Sequence, residues 1–362
     1  MLHSFRARAG NSVTDVVVGE GALSALARRL PRLARGRWFV ISSRPVFDRH
    51  GQALLGAAAR CDLDAEPLLV ADGEPAKTWP ALGKLLAELL ARGLRRDGGV
   101  VALGGGTVGD VAGMAASLAL RGVPIAQVPT TLLAASDSAL GGKTAVNLQG
   151  GKNLAGTVHH PSLVVVDTRL LATLDQRAYR SGLAEVVKSS MLEAAFDRAF
   201  PGLADGLARR HPAALSDAVL RSLRMKARVV ERDPLERSGA RFALNLGHTV
   251  GHALEVASRY RLTHGEAVAW GLLAILELSV ARAGLPERTA RRLAARVLDL
   301  VRPPEPSRGA LGAWPAHLGA DKKSDRQGLR AVALQAPGRV VLLRTDPAEL
   351  DGCLGRARER YN

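Results

Sequence analysis

The chain of 362 residues is 47% hydrophobic and 23% charged, which gives material for a large core and two domains and excludes a disordered or fibrous protein. Two distant cysteines, Cys61 and Cys353, make neither a disulfide framework nor a metal knuckle, and "MLHSFRARAG" lacks the apolar run of a secretory leader, so a cytoplasmic setting is expected. The net charge of +16 is spread over arginines on helical patterns and aromatics are only 4%, so neither nucleic acid nor membrane is expected as a partner, and the charge is read as attraction for anionic metabolites.

In chain order, the first half alternates short β-branched runs with helical patterns. Strands are expected at 15–18 (DVVV), 37–42 (RWFVIS), 67–71 (PLLVA), 99–103 (GVVAL), 124–129 (PIAQVP) and 162–167 (SLVVVD). Stretches such as "WPALGKLLAELLARGL" lie between them, and this βαβα rhythm implies a mostly parallel sheet covered by helices. After about residue 175 the pattern is almost wholly helical, until "LRAVALQ" and "RVVLLR" flank "APG" as a small hairpin. The expected organisation is an α/β domain over 1–175 with a mostly parallel sheet, then a mainly α-helical domain over 176–362.

The stretch "GGGTVGD" follows the apolar run at 100–103. A glycine cluster between a strand and a helix lets backbone N–H groups approach a phosphate, and the helix is expected to begin near Asp110. The spacing is not that of the usual dinucleotide fingerprint, and a tight strand–helix turn would also use it. The next stretch, from Arg121 to Asn153, bunches Thr130, Thr131, Asp137, Lys143, Lys152 and Asn153 among glycines, as a site for an anionic ligand would. The chain writes arginine wherever a generic positive charge serves and contains only eight lysines, so each lysine marks a place where a compact ammonium is wanted.

The helical half offers Glu185, His248, His252 and His264. His248 and His252 share a helix face, but Thr249 stands where a two-histidine zinc helix would carry its glutamate. The other combination takes one histidine of that helix together with His264 and Glu185, a set suited to a catalytic divalent metal.

Together, "GGGTVGDVAG", "RGVPIAQVPTTLLA", "DSALGGKTAVN", "GKNLAG", "SGLAEVVK", "RFALNLGHTVGHALE", "HGEAVAWG" and "DKK" resemble the 3-dehydroquinate synthase family of sugar-phosphate cyclases over roughly residues 70–345. The resemblance implies a homodimeric enzyme with an NAD-binding α/β domain and a helical domain holding zinc, or cobalt in its place. Members oxidise a ring hydroxyl with tightly held NAD⁺, eliminate phosphate, return the hydride, open the ring and close a carbocycle by aldol addition. By position, Glu185, His248 and His264 match the metal ligands. Gly105, Gly106 and Asp110 match the nicotinamide dinucleotide loop, Thr130 and Thr131 a second cofactor segment, and Glu74 and Lys77 an adenosine-side contact. Asp137 and Lys226 match residues near the reacting hydroxyls. Lys143, Lys152, Asn153, Lys188, Asn245, His252, Lys322 and Lys323 match groups around phosphate and carboxylate. Arg121 matches an arginine reaching the neighbouring subunit's phosphate site.

The branch is read from the carboxylate. Sugar-phosphate cyclases that form 2-deoxy-scyllo-inosose or valiolone-type products act on substrates without one, whereas Arg241 matches the carboxylate-binding arginine of the dehydroquinate branch, and a planar guanidinium suits that anion. The expected substrate is therefore 3-deoxy-D-arabino-heptulosonate 7-phosphate (DAHP), in the shikimate pathway. Against this, "AASDSAL", "TVHHP", "LDQRAYRSG" and "VISSR" depart from the usual pattern and keep a cyclase of secondary metabolism, including an amino-dehydroquinate type, as the alternative.

Overall fold

The structure is a computed structural model that describes residues 1–149, 151–320 and 328–361. It falls into two compact units, Met1–Leu174 with Leu215–Arg237, and Asp175–Ala214 with the chain from Ser238 onward.

The first unit is built on a seven-stranded sheet. Its strands are β1 (His3–Ala9), β2 (Ser12–Gly19), β3 (Trp38–Ser43), β4 (Ala65–Val70), β5 (Gly99–Gly104) and β6 (Ile125–Pro129), with β9 (Leu163–Asp167) after a separate hairpin of β7 (Lys143–Leu148) and β8 (Gly151–Val158). The order is β1-β2-β9-β6-β5-β3-β4, and every pairing is parallel except β1 with β2. Strands β3 and β5 are buried at every residue, which is why they read as continuous apolar runs.

Alternate residues of these strands serve opposite faces. Phe39, Ile41, Val100 and Ala102 pack with Leu82, Leu85, Val111 and Ala115, from α3 (Trp79–Ala91) and α4 (Gly106–Leu118). Trp38, Val40, Val101 and Leu103 pack with Leu26, Leu30 and Leu54, from α1 (Leu23–Leu33) and α2 (Arg44–Ala59). Asp167 ends β9 and caps α5 (Thr168–Leu171); its fully buried carboxylate accepts N–H bonds from Gly21, Leu23 and Arg169 and pairs with the Arg169 guanidinium at 2.8 Å. After β3 the chain moves outward to β4, and after β5 it moves the other way to β6. In parallel sheets of this kind, ligands bind outside the carboxyl ends of the strands where the order reverses, here those of β3 and β5.

The second unit is helical. It contains α6 (Gln176–Met191), α7 (Ala194–Ala199), α8 (Pro201–Ala208), then, after α9 (Pro212–Arg232), α10 (His248–Ala257), α11 (His264–Leu278), α12 (Glu287–Leu300), α13 (Arg308–Ala313) and α14 (Pro347–Tyr361). The expected hairpin is present as β10 (Arg330–Ala336) and β11 (Arg339–Arg344). Helix α11 is buried from Gly265 to Leu278, with α6, α10, α12 and α14 packed against it, so it is apolar on every side rather than along one stripe.

The segment 215–237, expected in the helical block, groups with the sheet unit. Three contacts show why: Lys226 pairs with Asp137, Glu236 with Lys143, and the Arg224 guanidinium lies 5.6 Å from the Phe5 ring centre.

Candidate functional site

In the sheet unit, the glycine run ends β5 and opens α4. The helix begins at Gly106, four residues before the expected start at Asp110, because Gly105 is its N-cap and the first turn is made of small residues. Among the described residues no side chain caps this end, so its backbone N–H groups remain for an anion at the sheet's reversal point. A Cβ on Gly105 would lie 3.0 Å from Thr131 Cγ2, so the bare backbone lets the ends of β5 and β6 meet. There, Thr130 N–H donates to the Gly104 carbonyl (2.9 Å) and Thr131 Oγ1 accepts from Ala134 N–H (3.2 Å).

Glu74 and Lys77 lie in a tight turn wired to the β7–β8 hairpin. Buried Lys77 donates to Asp110 Oδ2 (2.6 Å) and to Asn153 Oδ1 (2.5 Å). Asn147 Nδ2 donates to Glu74 Oε2 (2.6 Å), Asn147 Oδ1 accepts from Asn153 N–H (2.9 Å), and Lys152 Nζ lies 3.5 Å from Glu74 Oε1. The structure thus joins Glu74, Lys77, Asp110, Lys152 and Asn153 in one polar network. Asn147 is the member that sequence reasoning missed, although it stands inside the quoted "KTAVN". Lys226 donates to the Asp137 carbonyl (2.7 Å) and pairs with its Oδ1 (2.7 Å); Lys143 pairs with Glu236 at 2.6 Å. Arg121 is exposed, with φ +69°.

In the helical unit, Glu185 of α6, His248 at the start of α10 and His264 at the start of α11 bring one ligand atom each within 4.8 Å of one another. Both Nε2 atoms lie 3.4 Å from Glu185 Oε1. The opposite ring nitrogens are held: His248 Nδ1 donates to the Leu246 carbonyl (3.1 Å) and His264 Nδ1 to Glu255 Oε2 (3.2 Å). These bonds turn both Nε2 atoms toward the carboxylate, in an arrangement that could hold a metal. Glu255 was not singled out from sequence; its signal is its spacing, seven after His248 on the same face of α10.

The charges agree with this. Burial raises the Glu185 carboxyl, but Lys188, which pairs with it, and the imidazoles outweigh burial and hold it well below the usual range. Burial and then Lys188 push His248 down to about 4, leaving a neutral ring at pH 7. His264 is lowered by burial, yet Glu185 and Glu255 bring it up to about 9, and a proton competes there with a divalent cation. Two imidazoles, one ionised carboxylate and oriented second nitrogens fit zinc or cobalt.

His252 stays outside the triad, its ring 5.2 Å from that of His248 and 5.8 Å from that of His264. Arg241 is 2% exposed, in the turn before α10. Asn245 ends that turn, with its buried Nδ2 unpaired among the described residues. Lys322 and Lys323 lie outside the described residues.

A sheet unit with bare amides at its reversal point and a helical unit whose Glu185, His248 and His264 could hold a metal define a two-domain fold shared with sugar-phosphate cyclases. The crystal structure of 2-deoxy-scyllo-inosose synthase complexed with carbaglucose-6-phosphate, NAD⁺ and Co²⁺ is similar at TM-score 0.86 and 26% identity, covering 98% of this chain and 99% of that one. The 2-epi-5-epi-valiolone synthase from Streptomyces hygroscopicus subsp. jinggangensis 5008, with NAD⁺ and Zn²⁺ bound, is similar at TM-score 0.85 and 29% identity, covering 98% and 100%.

The sequence carries the assignment further. Residues 67–181 match the 3-dehydroquinate synthase N-terminal family and residues 182–324 its C-terminal family. The 3-dehydroquinate synthase of Paracoccus denitrificans (strain Pd 1222) is 40% identical over 359 residues, covering 95% of this chain and 96% of that one. The chain belongs to the 3-dehydroquinate synthase family.

Proposed function

We propose that the chain converts DAHP to 3-dehydroquinate and phosphate, as the cytoplasmic shikimate-pathway step and as a homodimer. The observation that carries this reading is the 40% identity to a 3-dehydroquinate synthase across nearly the whole of both chains, against 26% and 29% for the two other cyclases.

The sheet unit binds NAD⁺. The amides at Gly105 and Gly106 face its pyrophosphate, Thr130 and Thr131 form a second cofactor segment, and Glu74, Lys77 and Asp110, joined in one hydrogen-bonded network, hold one region of the cofactor together rather than opposite ends of it. The helical unit holds zinc or cobalt on Glu185, His248 and His264. When bound, NAD⁺ accepts and returns a hydride and the metal draws electron density from substrate hydroxyls.

The chain's own residues bind and orient the substrate. Arg241, already desolvated, offers a planar fork to the carboxylate. Lys143, Lys152, Asn153, Asn245, His252, Lys322 and Lys323 serve the phosphate and the carboxylate, joined at the phosphate by Arg121 of the partner subunit. Lys188 balances Glu185, and Lys226, fixed by Asp137, stands by the reacting hydroxyls. This machinery is orientation and charge stabilisation more than proton transfer.

The test is phosphate release with NAD⁺ and Zn²⁺ from DAHP, its amino analogue, sedoheptulose 7-phosphate and glucose 6-phosphate in parallel. Release from DAHP alone with no net NADH is expected. Release from another sugar instead would keep the fold, but would hand the substrate to the alternative cyclases.

A further inference from the structure

We propose that Arg177 is a positioning residue for the metal triad, holding the first turn of α11, and with it His264, at the distance from Glu185 that one divalent cation needs. The proposal rests on the metal reading given above.

Arg177, Ser181, Glu185 and Lys188 follow one another at spacings of four, four and three along α6, so they form one stripe. The first three each meet the start of α11. Arg177 Nε and Nη2 donate to Glu266 Oε1 and Oε2, both at 2.8 Å, and Nη2 also donates to the Arg261 carbonyl at 2.5 Å. Ser181 Oγ accepts from Gly265 N–H at 3.0 Å, and Glu185 meets His264 at 3.4 Å.

The middle contact is a pivot. A Cβ on Gly265 would lie 2.0 Å from the Ser181 carbonyl oxygen, so the two backbones touch there. On either side of it, about 6 Å along the axis of α6, stand the Arg177 fork and the Glu185–His264 meeting. Thr263 and Glu266 form a capping box: Thr263 N–H donates to Glu266 Oε2 at 2.7 Å and Glu266 N–H to Thr263 Oγ1 at 3.3 Å. That box fixes the end of α11 only to itself. Among the described residues, the Arg177 fork carries the fixation over to α6 on that side of the pivot. Releasing the fork lets α11 turn about Ser181–Gly265 and shifts His264 against Glu185.

The experiment measures Zn²⁺ affinity of the full-length protein by competition with a chromophoric chelator. The variants are R177A, R177K, E266Q and R177A/E266Q, and R282A, which breaks the Arg282–Glu349 pair of the same unit, is the control. Chelator-treated samples are melted in parallel to separate folding from binding. R177A and R177K are expected to bind Zn²⁺ about tenfold or more weakly, because outer residues that orient ligands carry effects of that size. R177K keeps the charge and loses the fork, so its failure to rescue separates positioning from a general stabilising charge. The double variant is expected to be no weaker than the weaker single one, and R282A to bind as wild type does. Should R177A not fold, R177K and E266Q read the same coupling. Wild-type binding with R177K and E266Q within about twofold of it overturns the positioning role alone. A wild-type protein that takes up no zinc overturns the metal reading and this proposal with it.

Discussion

Lys226 Nζ lies 2.7 Å from both the backbone carbonyl and the carboxylate of Asp137, 89 residues earlier in the chain. A flexible side chain is thereby fixed at two points, in a residue that is only 9% exposed. K226M keeps most of the volume and removes the charge. It is expected to lower kcat by about 10²–10³, the size of losing one electrostatic donor, while NAD⁺ binding changes little. Steady-state kinetics beside a fluorescence titration with NAD⁺ checks this, and unchanged kcat would remove Lys226 from the reacting region.

G265A reverses an ordinary sign. Alanine for glycine in a helix normally stabilises by about 1 kcal/mol. Here the new Cβ would stand 2.0 Å from the Ser181 carbonyl oxygen, in backbone that cannot turn aside. The helices must separate, with an expected loss of about 1–3 kcal/mol. Urea unfolding measures it; a gain in stability would mean that α6 and α11 do not cross so closely.

D167N tests the sheet unit against pH. Burial alone would raise the Asp167 carboxyl, but the Arg169 guanidinium and the N–H groups of Leu23, Gly21 and Arg169 hold it below the usual range. A depressed folded value means that the ionised form stabilises the fold above the unfolded pKa near 4, and that this contribution is lost as pH falls through the folded one. D167N is expected to cost about 1.5–3 kcal/mol at pH 7, with the gap to wild type closing below about pH 4. Thermal melts between pH 3 and 7 would show it; a constant gap would place the loss in packing instead.

R241K addresses substrate choice. Lysine keeps the charge of a buried group and gives up the planar fork. With DAHP, kcat/KM is expected to fall by about 10–100-fold, the worth of one charge-assisted hydrogen bond. Unaltered kcat/KM would leave the carboxylate to other residues and reopen the branch assignment.

The parallel core of the sheet unit is plain in the sequence, because β3, β5, β6 and β9 are apolar runs between turn signals. The β7–β8 hairpin is not. "GKNLAGTV" carries glycine, lysine and asparagine, which disfavour strands, and no residue of it is fully buried. The edge strand β1 is hidden for a similar reason, since "HSFRARA" alternates charge with small residues. The metal triad is legible as residue types, but its choice over the His248–His252 pair depends on three helices converging. Glu255 and Arg177 act through other side chains, and such roles have no local pattern at all.

The return of residues 215–237 to the sheet unit has a consequence for how the protein is made. The polypeptide passes between the two units three times, so neither is one continuous stretch of the gene. The ribosome has emitted β1 through β9 before it makes Lys226, which anchors Asp137, and at ordinary elongation speeds that delay is several seconds. The nascent sheet must wait for its last helix while part of the other unit is already outside the tunnel. A gene fragment ending at residue 175 would lack Lys226 and Glu236, which pair with Asp137 and Lys143, so one crossover cannot move the whole sheet unit from one enzyme to another.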